Sequence, residues 1–283
     1  MDTQKTWTER LETMDRRIIF LFVGLAVLIP IIKPFNVELK LTKPVQDFHA
    51  RIEQIPPGTT ILLAADWDPG SKAELYPATI AVLEHLFSRD IKIVGLSLWP
   101  AGPKMLEACY AEVLQHYDKK YGVDYINLGF KEGREVVMVA IGENIEEAFP
   151  EDFAQRKINQ FPIMNTIRNY DDFPLIISLS AGYPGTKEWV QQVQKRFDKD
   201  LISACAGVSS PEYYPYYESG QLLGLIGGLK ATAEYETMLN KPGLALKAQG
   251  SQALGHYTIV FFIVLGNILY LVNKGRKDKS ENG

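Results

Sequence analysis

The sequence predicts an α/β fold: a Rossmann-like, mostly parallel sheet of about six strands with helices on both faces, flanked by N- and C-terminal transmembrane helices. Three observations carry this reading. Two long uncharged apolar runs lie near opposite ends of the chain. Between them, continuous apolar runs alternate with amphipathic stretches, as expected of strands buried on both faces and joined by crossover helices. With 283 residues, 46% of them apolar, there is ample material for a core.

The first apolar run, IIFLFVGLAVLIPII over 18–32, continues into Lys33, Pro34 and Phe35. The second, YTIVFFIVLGNILYLV over 257–272, is led in by Ala253, Leu254 and Gly255. Spanning the hydrocarbon takes about 20 mostly apolar residues, so both are short spans that need their flanks. Asn267 is awkward against lipid and better placed facing another helix. Charged residues precede the first run and no small-x-small cleavage site follows it, so it reads as an uncleaved anchor rather than a signal peptide. Arg16 and Arg17 before the first span, and Lys274, Arg276, Lys277 and Lys279 after the second, place both ends in the cytoplasm. Lys33, Lys40 and Lys43 weigh the other way. The expected organisation is a cytoplasmic segment (1–17), a span (18–35), an extracytoplasmic α/β domain (36–252), a second span (253–273) and a basic cytoplasmic tail (274–283), in the plasma or inner membrane.

Within the middle segment a short helix over 44–55 leads into the first strand. Strands are expected at 60–65, 91–98, 125–129, 136–141, 175–179 and 201–206, and helices at 71–88, 104–120, 151–169 and 186–197. The stretch from 129 to 136 is too short for a helical crossover and predicts a hairpin or an edge irregularity. Both tethers then meet the domain at the amino edge of the sheet, leaving its carboxyl edge open.

Open parallel sheets bind ligands outside that carboxyl edge. The loops there supply Asp66, Trp67 and Asp68 after the first strand, and Ser97 and Trp99 at the end of the second. Ser180 and Tyr183 follow the fifth, and Ser209, Ser210, Glu212 and Tyr213 follow the sixth. Rings, hydroxyls and acids together suit a flat polar ligand such as a sugar or a nucleobase. The plainer reading is that Pro and Gly end strands while the rings cap the core.

Composition excludes several classes. A net charge of −4 argues against a nucleic-acid binder. Two cysteines, Cys109 and Cys205, exclude a disulfide framework and Cys-rich zinc modules. The four histidines form no HExxH motif and no sequence-adjacent pair, so no metal and no cofactor is expected. Asp66-x-Asp68 invites comparison with haloacid-dehalogenase-type phosphatases, but Gly70 stands where those enzymes carry Thr or Val. An Asp-Pro-Gly turn explains the same residues. Ser180 has the spacing of a nucleophile elbow, but the sole later histidine is His256, at the edge of the second apolar run. No phosphate-cradling glycine motif follows any strand.

Gly220, Gly224 and Gly228 are spaced by four, widened by Gly227 and Ala231. On a helix they would form one row of small residues, which suits close approach of another backbone. That backbone is either a second copy of the chain or the domain's own sheet. No family's motif set matches the chain. The reading is a membrane-anchored extracytoplasmic binding or assembly module without evident catalytic machinery. Its expected partners are the lipid bilayer, a second copy or another membrane protein, and a small polar ligand. The alternative is a membrane-anchored hydrolase or a small-molecule sensor, with its site around Asp66 and Asp68.

Overall fold

The computed structural model describes residues 15–32 and 39–281. The chain divides into two compact units, Leu39–Leu246, and Met1–Glu38 with Lys247–Gly283. In chain order the elements are α1 (Arg16–Ile32), α2 (Lys43–Glu53), β1 (Thr60–Asp66), α3 (Lys72–Ser88), β2 (Lys92–Ser97), α4 (Gly102–Val113), β3 (Tyr125–Phe130), α5 (Glu135–Glu143) and α6 (Ile145–Ala148). Then come β4 (Ile176–Ser180) and α7 (Thr186–Glu188), which runs through a π-type turn (Trp189–Gln194) into α8 (Lys195–Phe197). The remainder is β5 (Leu201–Cys205), α9 (Ser210–Glu218), β6 (Leu225–Gly227), α10 (Gly228–Met238) and α11 (Leu244–Glu281).

The six strands form one sheet in the order β3-β2-β1-β4-β5-β6, and every neighbouring pair is parallel. This is a Rossmann-like arrangement, reversing direction between β1 and β4. Side chains alternate across β1: Ile61, Leu63 and Ala65 enter one core with α2, α3, α4 and α10. Leu62 and Ala64 enter the other, with Val137, Met138, Trp189 and Val193. Burial on both faces is why these strands read as unbroken apolar runs.

Three expectations are corrected. Residues 136–141 are helical, within α5, not a strand. Val137, Met138 and Ile141 are buried while Val136 is 75% exposed, a helical spacing rather than a two-residue alternation. The turn ahead of α5 is made by Gly133 and Arg134, both at positive φ, so β3 connects to a helix and not to a hairpin. Residues 151–169 are not one helix: they form short 3-10 turns (Ile158–Gln160 and Pro162–Met164), with Pro162 supplying no amide donor.

The glycine row does not lie on one helix either: only Gly228 and Ala231 fall in α10, and the others precede it, in a turn, just ahead of β6 and in β6. Gly220 sits in an exposed turn at φ +76°. Gly224 leads into β6, where a side chain would overlap the Phe48 backbone of α2. Gly227 faces Ser210, Gly228 faces Gly207 at φ +73°, and Ala231 packs on the core. Close approach of a backbone is therefore the reason for two of these glycines, Gly224 and Gly228, and a side chain, that of Ser210, for Gly227; each neighbour belongs to the same unit.

Helix α10 ties down both ends of the α/β unit. Near its start, the Thr42 N–H and hydroxyl donate to Glu234 at 2.8 and 2.7 Å. At its end, the amides of Gly243, Ala245 and Leu246 donate to the Glu236 carboxylate at 3.0, 3.0 and 2.7 Å.

In the other unit, α1 has 17 residues and α11 contains a stretch, Leu244–Lys274, long and apolar enough to cross a membrane. Phe22 and Phe262 approach at 5.9 Å between ring centroids, and Gly255 lies against Val27. Asn267, expected to face another helix, is exposed and donates to the Ile263 carbonyl one turn back at 2.8 Å. The Lys33–Phe35 extension of the first run, residues 1–14 and the end of the basic tail lie outside the described residues.

Candidate functional site

All strands are parallel, so the segments following β1, β2, β3 and β4 emerge at one edge. Asp66, the last residue of β1, shares the face of Leu62 and Ala64 and is fully buried. Its carboxylate accepts from the Leu98 amide at 2.7 Å, the Trp189 indole at 2.9 Å and the Ser97 hydroxyl at 3.5 Å. Burial nevertheless pushes its pKa up to about 7, because desolvation outweighs the three donors, and nearby Glu188 adds to the rise. Ser97 is itself buried, and its hydroxyl is nearest the Ala65 carbonyl at 2.8 Å, with the Trp99 carbonyl at 3.0 Å as the alternative acceptor. Asp66 thus fastens β1 to the end of β2 and to the helix after β4.

Asp68 accepts from the amides of Gly70 and Ser71 at 2.9 and 3.3 Å, closing the Asp-Pro-Gly turn ahead of α3. Trp67 is fully buried in the core, with no partner for its indole nitrogen among the described residues. Both Asp66 oxygens thus have donors, whereas the donors to Asp68 all reach its Oδ1 from within the turn.

Trp99 is half-buried and donates from its indole to the Pro184 carbonyl at 2.8 Å, joining the β2 and β4 loops across the end of β1. Beside it opens a cleft of about 200 Å³, lined by Trp99 and Pro100, by Phe130, Glu132 and Arg134, and by Tyr183 and Pro184. The Arg134 guanidinium lies 5.0 Å from the centre of the exposed Tyr183 ring, and the Tyr183 hydroxyl donates to Glu135 at 2.8 Å. Arg134 has no ion-pair partner among the described residues. The cleft therefore offers aromatic faces, a cation held over one ring, and the acid Glu132.

Of the expected site residues, the structure brings Asp66, Ser97, Trp99 and Tyr183 to this edge, but only Trp99 and Tyr183 line the cleft. Ser180 is buried beneath the β4 loop and its hydroxyl donates to the Gly182 carbonyl. Ser209, Ser210, Glu212 and Tyr213 lie at the opening of α9. There Lys187 donates to Glu212 at 2.9 Å, and Tyr213 is buried, its phenol pushed up to about 12 by desolvation. Phe130, Glu132 and Arg134 were not anticipated; Gly129 and Gly133 flanking the Lys-Glu pair were the available signal of a loop.

A second cluster lies away from the cleft. His49 and Glu53 stand one turn apart on α2, and His85 reaches them from α3. Ligand-capable atoms of the three lie within 4.8 Å of one another, so histidines remote in sequence meet in the fold. His85 is buried, with Nε2 at 2.8 Å from Glu53 and Nδ1 at 2.6 Å from the Tyr235 hydroxyl. Burial holds its imidazole neutral, with the pKa pushed down to about 4.

Fold and cleft together define a Rossmann-like α/β unit with a small polar-aromatic cleft at the carboxyl edge of its sheet. No family model and no curated protein matches the chain. Among solved structures, the N-terminal domain of Candida albicans trehalose-6-phosphate phosphatase is similar at a TM-score of 0.34 and 9% identity, over 86% of this chain and 44% of that one. A likeness of that degree bears on neither activity nor ligand.

Proposed function

We propose that this protein is a membrane-anchored binding module whose α/β unit takes a small, flat, anionic ligand in the carboxyl-edge cleft. The observation that carries this reading is the pairing of Trp99 and Tyr183 with an Arg134 that has no carboxylate partner among the described residues. A planar ligand can stack on an aromatic face while its charge meets the guanidinium. Catalysis by the Asp66 and Asp68 carboxylates is less well supported, since Asp66 is fully buried with donors on both oxygens and Asp68 closes its own turn through Oδ1.

Membrane anchoring draws support from α11 and from the apolar surface of both terminal helices, with Phe20, Leu21, Tyr257 and Leu271 all more than 60% exposed. In this reading α1 is the second span, both termini are cytoplasmic and the α/β unit is extracytoplasmic. The test is a thermal-shift screen of the detergent-solubilised full chain against nucleosides, monosaccharides and their carboxylate derivatives. A compound that stabilises the wild type but neither Trp99→Ala nor Arg134→Ala supports the cleft. Stabilisation that persists in both variants would move the site elsewhere.

A further inference from the structure

The His49, Glu53 and His85 side chains converge without a complete set of mutual hydrogen bonds. His49 is half-buried and stacks on His85 at 4.7 Å between ring centroids, 25° from parallel, yet forms no hydrogen bond among the described residues. From this convergence we propose that His49, Glu53 and His85 bind a divalent transition-metal ion of the zinc class, with water completing the coordination. Two imidazoles and one carboxylate suit such ions, whereas Mg²⁺ and Ca²⁺ prefer all-oxygen sites.

The surroundings have the form of an outer shell. Tyr235, fully buried on α10, holds His85 Nδ1 and fixes the ring. With the proton on Nδ1 and the hydroxyl accepting it, the Nε2 lone pair is directed at the Glu53 side, where an ion would sit. Arg89 contacts the other Glu53 oxygen at 3.1 Å and donates to the Glu53 carbonyl at 2.7 Å, leaving Oε1 for the metal. The Arg89 charge opposes the ion and weakens its hold relative to a site without a neighbouring cation. Solvent reaches the site through Glu53, whose side chain is 41% exposed. Without metal, Nε2–H donates to Glu53 and the Tyr235 hydroxyl to Nδ1; binding requires the opposite tautomer.

The experiment is a Co²⁺ titration of the chelator-treated full chain in detergent, read by visible d–d absorption and reversed with Zn²⁺. One Co²⁺ per chain, displaced by Zn²⁺, is expected. His49→Ala and Glu53→Gln should each weaken binding at least tenfold, and Tyr235→Phe, which removes the outer contact, by about 10- to 100-fold. His116→Ala, on an exposed histidine, should bind as the wild type does. Circular dichroism reports whether each variant is folded, and the half-buried position of His49 makes His49→Ala the decisive one. No saturable band in the wild type, or a full band in folded His49→Ala, overturns the proposal.

Discussion

Asp66 and Trp189, 123 residues apart in the chain, meet in the interior through a 2.9 Å hydrogen bond from the indole to the carboxylate. Strand β1 ends at the first residue, and the π-type turn after β4 begins at the second. The bond therefore clasps the sheet at the point where its strand order reverses. Replacing Trp189 by Phe keeps a ring and deletes the donor. A loss of roughly 1–3 kcal/mol is expected, since a buried carboxylate oxygen is left without its partner. Urea unfolding of the full chain in detergent, followed by circular dichroism, measures it.

The same carboxyl makes stability depend on pH. Its folded pKa of about 7 lies above the ordinary value of 3.8, so the folded state holds a proton that the unfolded state releases. Stability contributed this way is complete below about pH 4 and is lost as pH rises toward 7, by on the order of 4 kcal/mol. Asp66→Asn cannot titrate. The difference in unfolding midpoint between wild type and variant should follow that window, and a difference that is constant with pH would contradict it.

Gly224 and Gly220 should respond differently to the same substitution. Gly224→Ala drives a methyl into the Phe48 backbone and should cost about 1–3 kcal/mol through overpacking between α2 and β6. Gly220→Ala meets open space and pays only for its positive φ, about 1–2 kcal/mol. Thermal unfolding of both variants, with oligomeric state read by light scattering, separates packing within the unit from association.

Orientation can be read with added thiols because both native cysteines are silent. Cys109 and Cys205 are buried, and desolvation pushes their thiols up, that of Cys205 to about 12. In the proposed topology a membrane-impermeant maleimide labels Lys131→Cys in intact cells, but Ser280→Cys only after permeabilisation. The reverse pattern would invert the orientation.

Legibility of the fold followed burial. Strands β1, β2, β4 and β5 were readable because both faces are covered, so Ile61 through Ala65 has no polar interruption and Ile176 through Leu179 only the small, buried Ser178. The run Val136–Ile141 has the same composition, and its β-branched residues suggested a strand. What makes it a helix is the turn at Gly133 and Arg134 and the position of the core on one side only, neither of which composition reveals. Phe130 at the end of β3, and Glu132 and Arg134 in the strand-to-helix loop, are hidden in the sequence for the same reason. Trp99 and Tyr183 were accessible to reasoning from strand ends. The meeting of His49, Glu53, His85 and Tyr235 was not, because three helices from distant parts of the chain bring them together.

The pair of glutamates on α10 has a consequence for how this unit is carried in a longer polypeptide. Thr42 and Leu246 are anchored two residues apart on one helix, at Glu234 and Glu236. A unit whose two ends are held by one helix keeps both exits fixed to the same rigid element. The α/β body is in this sense clamped at one point: loosening α10 would release both exits of the chain at once.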